Sequence, residues 1–143
     1  MTDSGKRHQI VFRLSLRDES DVAAARRDTR ALATGQGFPS SEVEALTTAV
    51  SEVTRNVIVH AGNGEFRLGV ANDAGRIGII AIVQDDGPGI SDLESAMRDG
   101  HSTGKGLGLG LPSARRLVDQ FEIRSIPGQG TTVTLWKWLG RAV

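Results

Sequence analysis

Two strand-length apolar runs, residues 65–71 and 76–84, are separated only by Asn72-Asp73-Ala74-Gly75. So short a connection, built of turn-forming residues, makes the two runs pair antiparallel, because a parallel return needs a crossover of about a dozen residues. A second pair of runs, 121–126 and 131–139, flanks Pro127-Gly128-Gln129-Gly130 in the same way. Upstream, residues 9–16 alternate, with Ile10, Phe12, Leu14 and Leu16 set against Val11, Arg13 and Ser15, which predicts a first strand with one buried face. The polar stretch 17–21 ends it.

Helical spacing fills the intervals. Val22, Ala25, Thr29 and Leu32 predict a helix over 21–34, closed by Gly35 and Gly37. A second helix opens at Pro39-Ser40-Ser41, with Ser41 and Glu44 in capping-box spacing and an apolar stripe of Val43, Leu46, Val50, Val53 and Val57. Residues 92–99 suggest a short helix, 100–110 a glycine-dense loop, and 111–120 a last helix with Pro112 in its first turn. The order β, α, α, β, β, short α, α, β, β groups hairpins apart from helices. It predicts an α+β fold: two layers, a mainly antiparallel sheet with helices on one face.

At 143 residues the chain is expected to form a single domain with a real core. Lys+Arg and Asp+Glu both total 17, so no excess of cation is available to drive counterion release, and a nucleic-acid partner is disfavoured. Cysteine is absent, which excludes a disulfide framework and thiolate metal sites. Residues 1–7 lead into no apolar signal core, and runs such as 77–83 fall short of the roughly 20 residues a membrane helix needs, so a cytoplasmic protein without membrane association is expected.

Three polar clusters interrupt the core pattern. Glu52 and Asn56 are four apart on the second helix, so they project together, away from the apolar stripe. A carboxylate stacked on an amide oxygen suits a hard cation such as Mg²⁺, or leaves the carboxylate to orient a nucleophile. Asp85 ends an apolar run and meets Asp86 and Gly87-Pro88-Gly89. A carboxylate held there accepts a hydrogen bond from an exocyclic amine such as adenine's, while the glycines let a ring approach the backbone; Asp86 is expected to face solvent. Gly104, Gly106, Gly108 and Gly110 alternate with Lys105, Leu107 and Leu109 just before a helix, placing unobstructed N–H groups where phosphates bind.

The glycine ladder is not a Walker A loop, since Gly106 stands where Ser or Thr should follow Lys105, and no stretch satisfies G-x-G-x-x-G. Taken singly, the helix pair is most often a solvated face, and Asp-Gly-Pro-Gly most often a turn. The leucines are out of place in a flexible linker, and the three clusters in this order read as one nucleotide site. Lys105 is a candidate phosphate contact, with Ser102 and Thr103 in the same lid. His60 lies four residues past Asn56, but His8 and His101 give it no metal-like spacing, so capping or packing is expected. Trp136 and Trp138 share a strand face and are expected to pack.

Glu52-x-x-x-Asn56, Asp85-x-Gly87-x-Gly89 and Gly104-x-Gly106-x-Gly108-x-Gly110 resemble the N, G1 and G2 boxes of the GHKL ATPase/kinase superfamily. The short lid, the Gly110-Leu111-Pro112 junction and the tail from Phe121 to Trp138 are similar to RsbT-type switch kinases, whereas Ile58-Val59-His60-Ala61 looks closer to the related RsbW and SpoIIAB anti-sigma factors. The longer tail weighs more. The resemblance implies a Bergerat fold, a two-layer α/β sandwich with a mixed, mainly antiparallel sheet, binding ATP and Mg²⁺. It implies Glu52 as general base, Asn56 as Mg²⁺ ligand, Asp85 as adenine anchor and Thr131 near the adenine-side water. Gly87, Gly89, Gly104, Gly106, Gly108 and Gly110 would shape the pocket, with Ser102, Thr103, Lys105 and Leu107 in the lid. The implied activity is phosphorylation of Ser or Thr on a STAS-domain antagonist, followed by activation of a PP2C-type phosphatase or its N-terminal domain. The alternatives are an anti-sigma factor that sequesters a sigma factor and a nucleotide-sensing module without catalysis. A sensor histidine kinase lacks room here for a dimerisation helix pair.

Overall fold

The computed structural model describes residues 6–90, Met97 and 110–140. Its elements run β1 (Lys6–Leu16), α1 (Glu19–Gly35), α2 (Ser40–His60), β2 (Gly64–Asp73), β3 (Arg76–Asp85), α3 (Leu111–Leu117), β4 (Gln120–Ile126) and β5 (Gly130–Trp138). The short helix expected over 92–99 and the glycine loop from 100 to 109 lie outside the described residues.

Helix α2 forms where its apolar stripe is longest: Val43, Leu46, Val50, Val53 and Val57 are all buried, each stabilising the fold by roughly 1.5–3 kcal/mol. Thr29, Thr47 and Thr54 are buried beside the apolar residues, and each hydroxyl donates to the carbonyl four residues back, at 2.7, 2.7 and 2.8 Å. No polar atom of theirs is stranded. The capping box expected from Ser41 and Glu44 is not formed. Pro39 is the N-cap, its carbonyl accepts from the Glu42 and Val43 amides at 3.0 Å, and Ser41 is already inside the helix. Glu44 pairs instead with Arg30 of α1 at 3.1 Å. The capping box sits at α1, where Asp18 accepts from Ser20 N at 2.9 Å and Asp21 accepts from Asp18 N at 3.2 Å. The residues read as ending β1 therefore start the helix, two positions earlier than expected.

The sheet order is β1-β2-β3-β5-β4, and the sheet, expected as mainly antiparallel, is antiparallel in each of its four strand pairings. Helices α1, α2 and α3 share one core with the inward residues of the strands, among them Leu16, Phe66, Leu68, Ile79, Ala81, Val83, Val133 and Leu135. The opposite sheet face carries a smaller cluster of Ala71, Ile80 and Trp138, with Ile82 and Trp136 packed on it. The Arg76 guanidinium covers the Trp138 ring at 4.4 Å, and the indole N–H donates to Gln120 at 2.7 Å. Both tryptophans pack, as expected.

The first hairpin closes through Ala74 and Gly75, both at positive φ (54° and 88°), the two-residue turn that matches strand twist. Asn72 Oδ1 accepts from Gly75 N at 3.1 Å. Two details depart from the alternation read in the sequence. A bulge between Ile10 and Phe12 pairs Ile10 with Gly69 while Phe12 pairs with Leu68, so Ile10 leaves the inward face it was expected to share. Helix α3 ends at Leu117, three residues short of the expected Gln120, because Val118 is extended and Asp119 N already bonds to Trp136 O at 2.9 Å. Among the described residues no helix is long and apolar enough to cross a membrane.

Candidate functional site

The chain turns sharply where β3 ends, and this turn is one wall of a pocket. Asp85 is the last β3 residue and stands opposite Thr131 of β5. Its Oδ1 accepts from Gly87 N at 2.8 Å, which fixes the carboxylate above the turn. Burial pushes the Asp85 carboxyl above the usual carboxylate range and Asp86 adds to this; the Gly87 and Thr131 amides, and His60 nearby, pull the other way. Asp86 is exposed, as expected.

Gly89 lies at φ 75°, and a Cβ there would sit 2.5 Å from Ile126 O, so only glycine lets the turn lie against the tip of the β4–β5 hairpin. The hairpin in turn holds the turn: Gly128 N donates to Pro88 O at 2.7 Å, and Ile90 N donates to Ser125 Oγ at 2.6 Å. At Gly87 a Cβ would lie 2.6 Å from the Ala61 Cβ, so the turn also rests on the C-terminal end of α2.

The pocket between this turn, α2 and the start of α3 holds about 630 Å³ of empty space, part of it open to solvent. Val53, Val57, Val83, Ile123 and Val133 make its apolar floor, and Asn56, His60, Asp85 and Thr131 supply the polar groups. A flat ring with a polar edge suits this composition: an apolar floor for its face and a fixed carboxylate for its amine. Asn56 and Glu52 both point from α2, half-buried, one helical turn apart. Glu52 lies against Gly110, where a Cβ would be 3.0 Å from the Glu52 Cβ and Cδ and closer still to its Oε1. Gly110 is the N-cap of α3 at φ 78°, and Leu111 and Pro112 bury its first turn.

Thus Asn56, Asp85, Gly89 and Thr131 surround one pocket, with Gly87 behind Asp85, while Glu52 and Gly110 touch each other, each next in sequence to a lining residue, Val53 and Leu111. Ser102, Thr103, Gly104, Lys105, Gly106, Leu107 and Gly108 lie outside the described residues. Among the described residues no group of three His, Cys, Asp or Glu side chains forms a metal cage. The oxygen donors of Asn56 and Glu52 fit Mg²⁺ in the way that ion usually binds, with one or two protein ligands and the rest phosphate oxygens and water. Sequence reading passed over Ser125 and took His60 for a cap or packing residue. The signal for Ser125 was available: Phe121, Ile123 and Ser125 share the inward register of β4, and a hydroxyl in that apolar series asks for a partner.

Residues 14–137 match the family model described as the histidine kinase-like ATPase domain. The chain is 42% identical over 121 residues to the serine/threonine-protein kinase RsbT of Bacillus subtilis, covering 85% of this chain and 91% of that one. It is 35% identical over 106 residues to the anti-sigma F factor of Caldanaerobacter subterraneus, covering 70% and 73%. Among solved structures, a chain of the SiaB–SiaC complex from Pseudomonas aeruginosa shares the fold, with a TM-score of 0.55, 13% identity and 91% of each chain covered. The chain belongs to the histidine kinase-like ATPase domain family, among relatives that include RsbT-type kinases and anti-sigma F factors.

Proposed function

We propose that this protein is an ATP-dependent serine/threonine kinase of a partner-switching module. It phosphorylates a STAS-domain antagonist and, once released from it, activates a PP2C-type phosphatase through that protein or its N-terminal domain. The observation that carries the reading is the 42% identity with an RsbT kinase over nearly the whole chain, joined to one pocket lined by Asn56 and Asp85, with Glu52 one helical turn before Asn56.

The chemistry follows from these positions. Asp85 accepts from the exocyclic amine of adenine, and the valine floor covers the ring. Asn56 supplies an oxygen to Mg²⁺, which when bound draws charge from the phosphate oxygens. Glu52 takes the proton of the incoming Ser or Thr hydroxyl as its oxygen bonds to the γ-phosphorus, and the bond to the bridging oxygen breaks to release ADP. Phosphoryl transfer needs mainly in-line positioning and charge neutralisation, so few side chains suffice. Gly104, Gly106, Gly108 and Gly110, with Lys105, Leu107, Ser102 and Thr103, contact the phosphates in this reading. Replacing Glu52 with Gln should abolish transfer while ATP affinity stays within about threefold. Retained transfer removes Glu52 from the role of base.

The anti-sigma relatives favour a second reading, in which the same site gates sequestration of a sigma factor. Affinity capture in Mg-ATP and in Mg-ADP, with mass spectrometry of retained proteins and their phosphosites, separates the two. A STAS protein carrying phosphoserine or phosphothreonine supports the kinase module; a sigma factor supports the second reading.

A further inference from the structure

Glu52 has a cation close at hand, and the structure ties that cation elsewhere. Arg55 is three residues further along α2, a spacing at which two side chains meet on the helix surface. Viewed down the helix axis, Asn56 is turned about 40° to one side of Glu52 and Arg55 about 60° to the other. Val53 and His60 lie further round on the Asn56 side, and all three line the pocket. The pocket is therefore on the side of Glu52 away from Arg55. The Arg55 guanidinium reaches α1 instead, where its Nε and Nη2 donate to Glu19 Oε2 at 3.2 and 2.8 Å. Glu19 follows directly on the Asp18 cap, and the Asp18–Asp21 capping box fixes that first turn. The Glu19 hydrogen bond pushes the Arg55 guanidinium up, burial opposes it, and the charges of Glu19 and Glu52 add to the rise, so two carboxylates act on one cation.

We propose that Glu19 is a positioning residue for phosphoryl transfer: by holding Arg55 on α1 it leaves the Glu52 carboxylate free to serve the pocket side. The inference rests on Glu52 being the base of a kinase. The Arg55 and Glu19 side chains are 42% and 65% exposed, so water and salt screen their pair and Arg55 exchanges partners readily. Within one turn of Arg55 on α2 the alternative carboxylate is Glu52. A guanidinium bonded to Glu52 occupies its lone pairs and draws it away from Asn56, which leaves it badly placed to take a hydroxyl proton. Glu19 changes no bond made or broken in the transfer. It sets the fraction of molecules in which Glu52 is available. A helical pair of this spacing favours closure about twofold, so an Arg55 released from Glu19 holds Glu52 about two-thirds of the time.

The test compares wild type, Glu19→Gln, Arg55→Gln and the double variant. It reads phosphate transfer from Mg-ATP to a purified STAS-domain antagonist, the Mg-ATP dissociation constant and, without nucleotide, the carbon resonance of the Glu52 carboxylate. Glu19→Gln should lower kcat about threefold with Mg-ATP affinity and the KM for the STAS protein unchanged, and should move the Glu52 resonance. Arg55→Gln should transfer at the wild-type rate, and the double variant should recover both kcat and the resonance, because the competing cation is gone. Glu19→Lys, which repels Arg55 from α1, should lower kcat further than Glu19→Gln. At about 1 M salt, where the Debye length is about 3 Å, the deficit of Glu19→Gln should shrink. If Glu19 and Arg55 only brace α1 against α2, each single substitution lowers transfer and melting point alike and the double variant stays low, which overturns the proposal. A higher KM for the STAS protein in Arg55→Gln, with kcat intact, would make Arg55 a substrate contact and overturns it too. A wild-type protein that transfers no phosphate overturns the kinase reading itself. An unmoved Glu52 resonance in Glu19→Gln, in a protein that does transfer, overturns only the role of Glu19.

Discussion

Replacing Gly110 with Ala tests whether the start of α3 fixes the Glu52 carboxylate. The new Cβ would lie 3.0 Å from the Glu52 Cβ and Cδ and closer to Oε1, where carbons rest at about 3.5–4.0 Å. Something must move by roughly 0.5–1 Å. Leu111 and Ala114 anchor α3 in the core at 3% and 0% exposure, so the half-buried Glu52 side chain is what yields. The positive φ of 78° adds strain of about 1–2 kcal/mol for any residue with a Cβ. Together these cost about 2 kcal/mol, read as a melting point about 6 °C lower. A misplacement of this size lowers phosphoryl transfer by about 100-fold. ATP affinity should stay within about threefold, since Asp85 and Thr131 are untouched. Thermal melting, nucleotide titration and transfer of labelled γ-phosphate to the proposed STAS-domain substrate read the three quantities. Wild-type transfer in Gly110→Ala, or a loss of ATP affinity as large as the loss of transfer, would refute the coupling.

Two further outcomes are expected. Burial raises the Asp85 carboxyl above the ordinary value, so the folded chain holds that proton to higher pH than the unfolded chain, and stability contributed by the protonated form is lost as pH rises from about 4 through the raised value. Asp85→Asn should therefore melt higher than wild type at neutral pH without nucleotide, lose that part of the pH profile, and no longer be stabilised by ATP; a lower melting point at neutral pH would contradict the desolvation cost. Ala74 occupies a left-handed turn position at φ 54° beside Gly75, so Ala74→Asn, which creates the favoured Asn-Gly pair, should raise stability by about 1 kcal/mol, or about 3 °C in a melting scan. An unchanged or lower melting point would argue against strain at that residue.

Much of this could be read from the chain because local and tertiary signals agree. The α2 stripe and the Asn72–Gly75 turn each need only nearby residues to specify them, and both form as expected. What escaped depends on partners distant in sequence. The Ile10 bulge is invisible in an unbroken alternation; it is enabled by Gly69, where a Cβ would collide with Gln9 O and sit 2.9 Å from the Ile10 Cα. The pattern Ser41-x-x-Glu44 fits a capping box, but Pro39 starts the helix and Arg30 takes the glutamate. Which strand of the second hairpin joins β3 was likewise open. An interior place in the sheet goes to β5, apolar on both faces through Val133, Leu135, Trp136 and Trp138, and the edge goes to β4, with exposed Glu122 and Arg124. At the site, Asp85 and Asn56 stood out because their residue types break an apolar pattern, while Ser125 matters only once Ile90 and Thr131 are beside it.

The interior place of β5 has a consequence for how the protein is made. A chain emerging from the ribosome delivers β1, β2 and β3 early, yet β3 keeps an unpaired edge until β5, which follows all four other strands, slides in between β3 and β4. Thr131 and Val133, which complete the pocket, arrive with that strand. Synthesis halted before residue 130 leaves an exposed strand edge that invites aggregation and no competent nucleotide pocket. Nucleotide binding therefore reports that the chain has been translated through its last strand, and ATP in the cell selectively stabilises molecules that have finished folding.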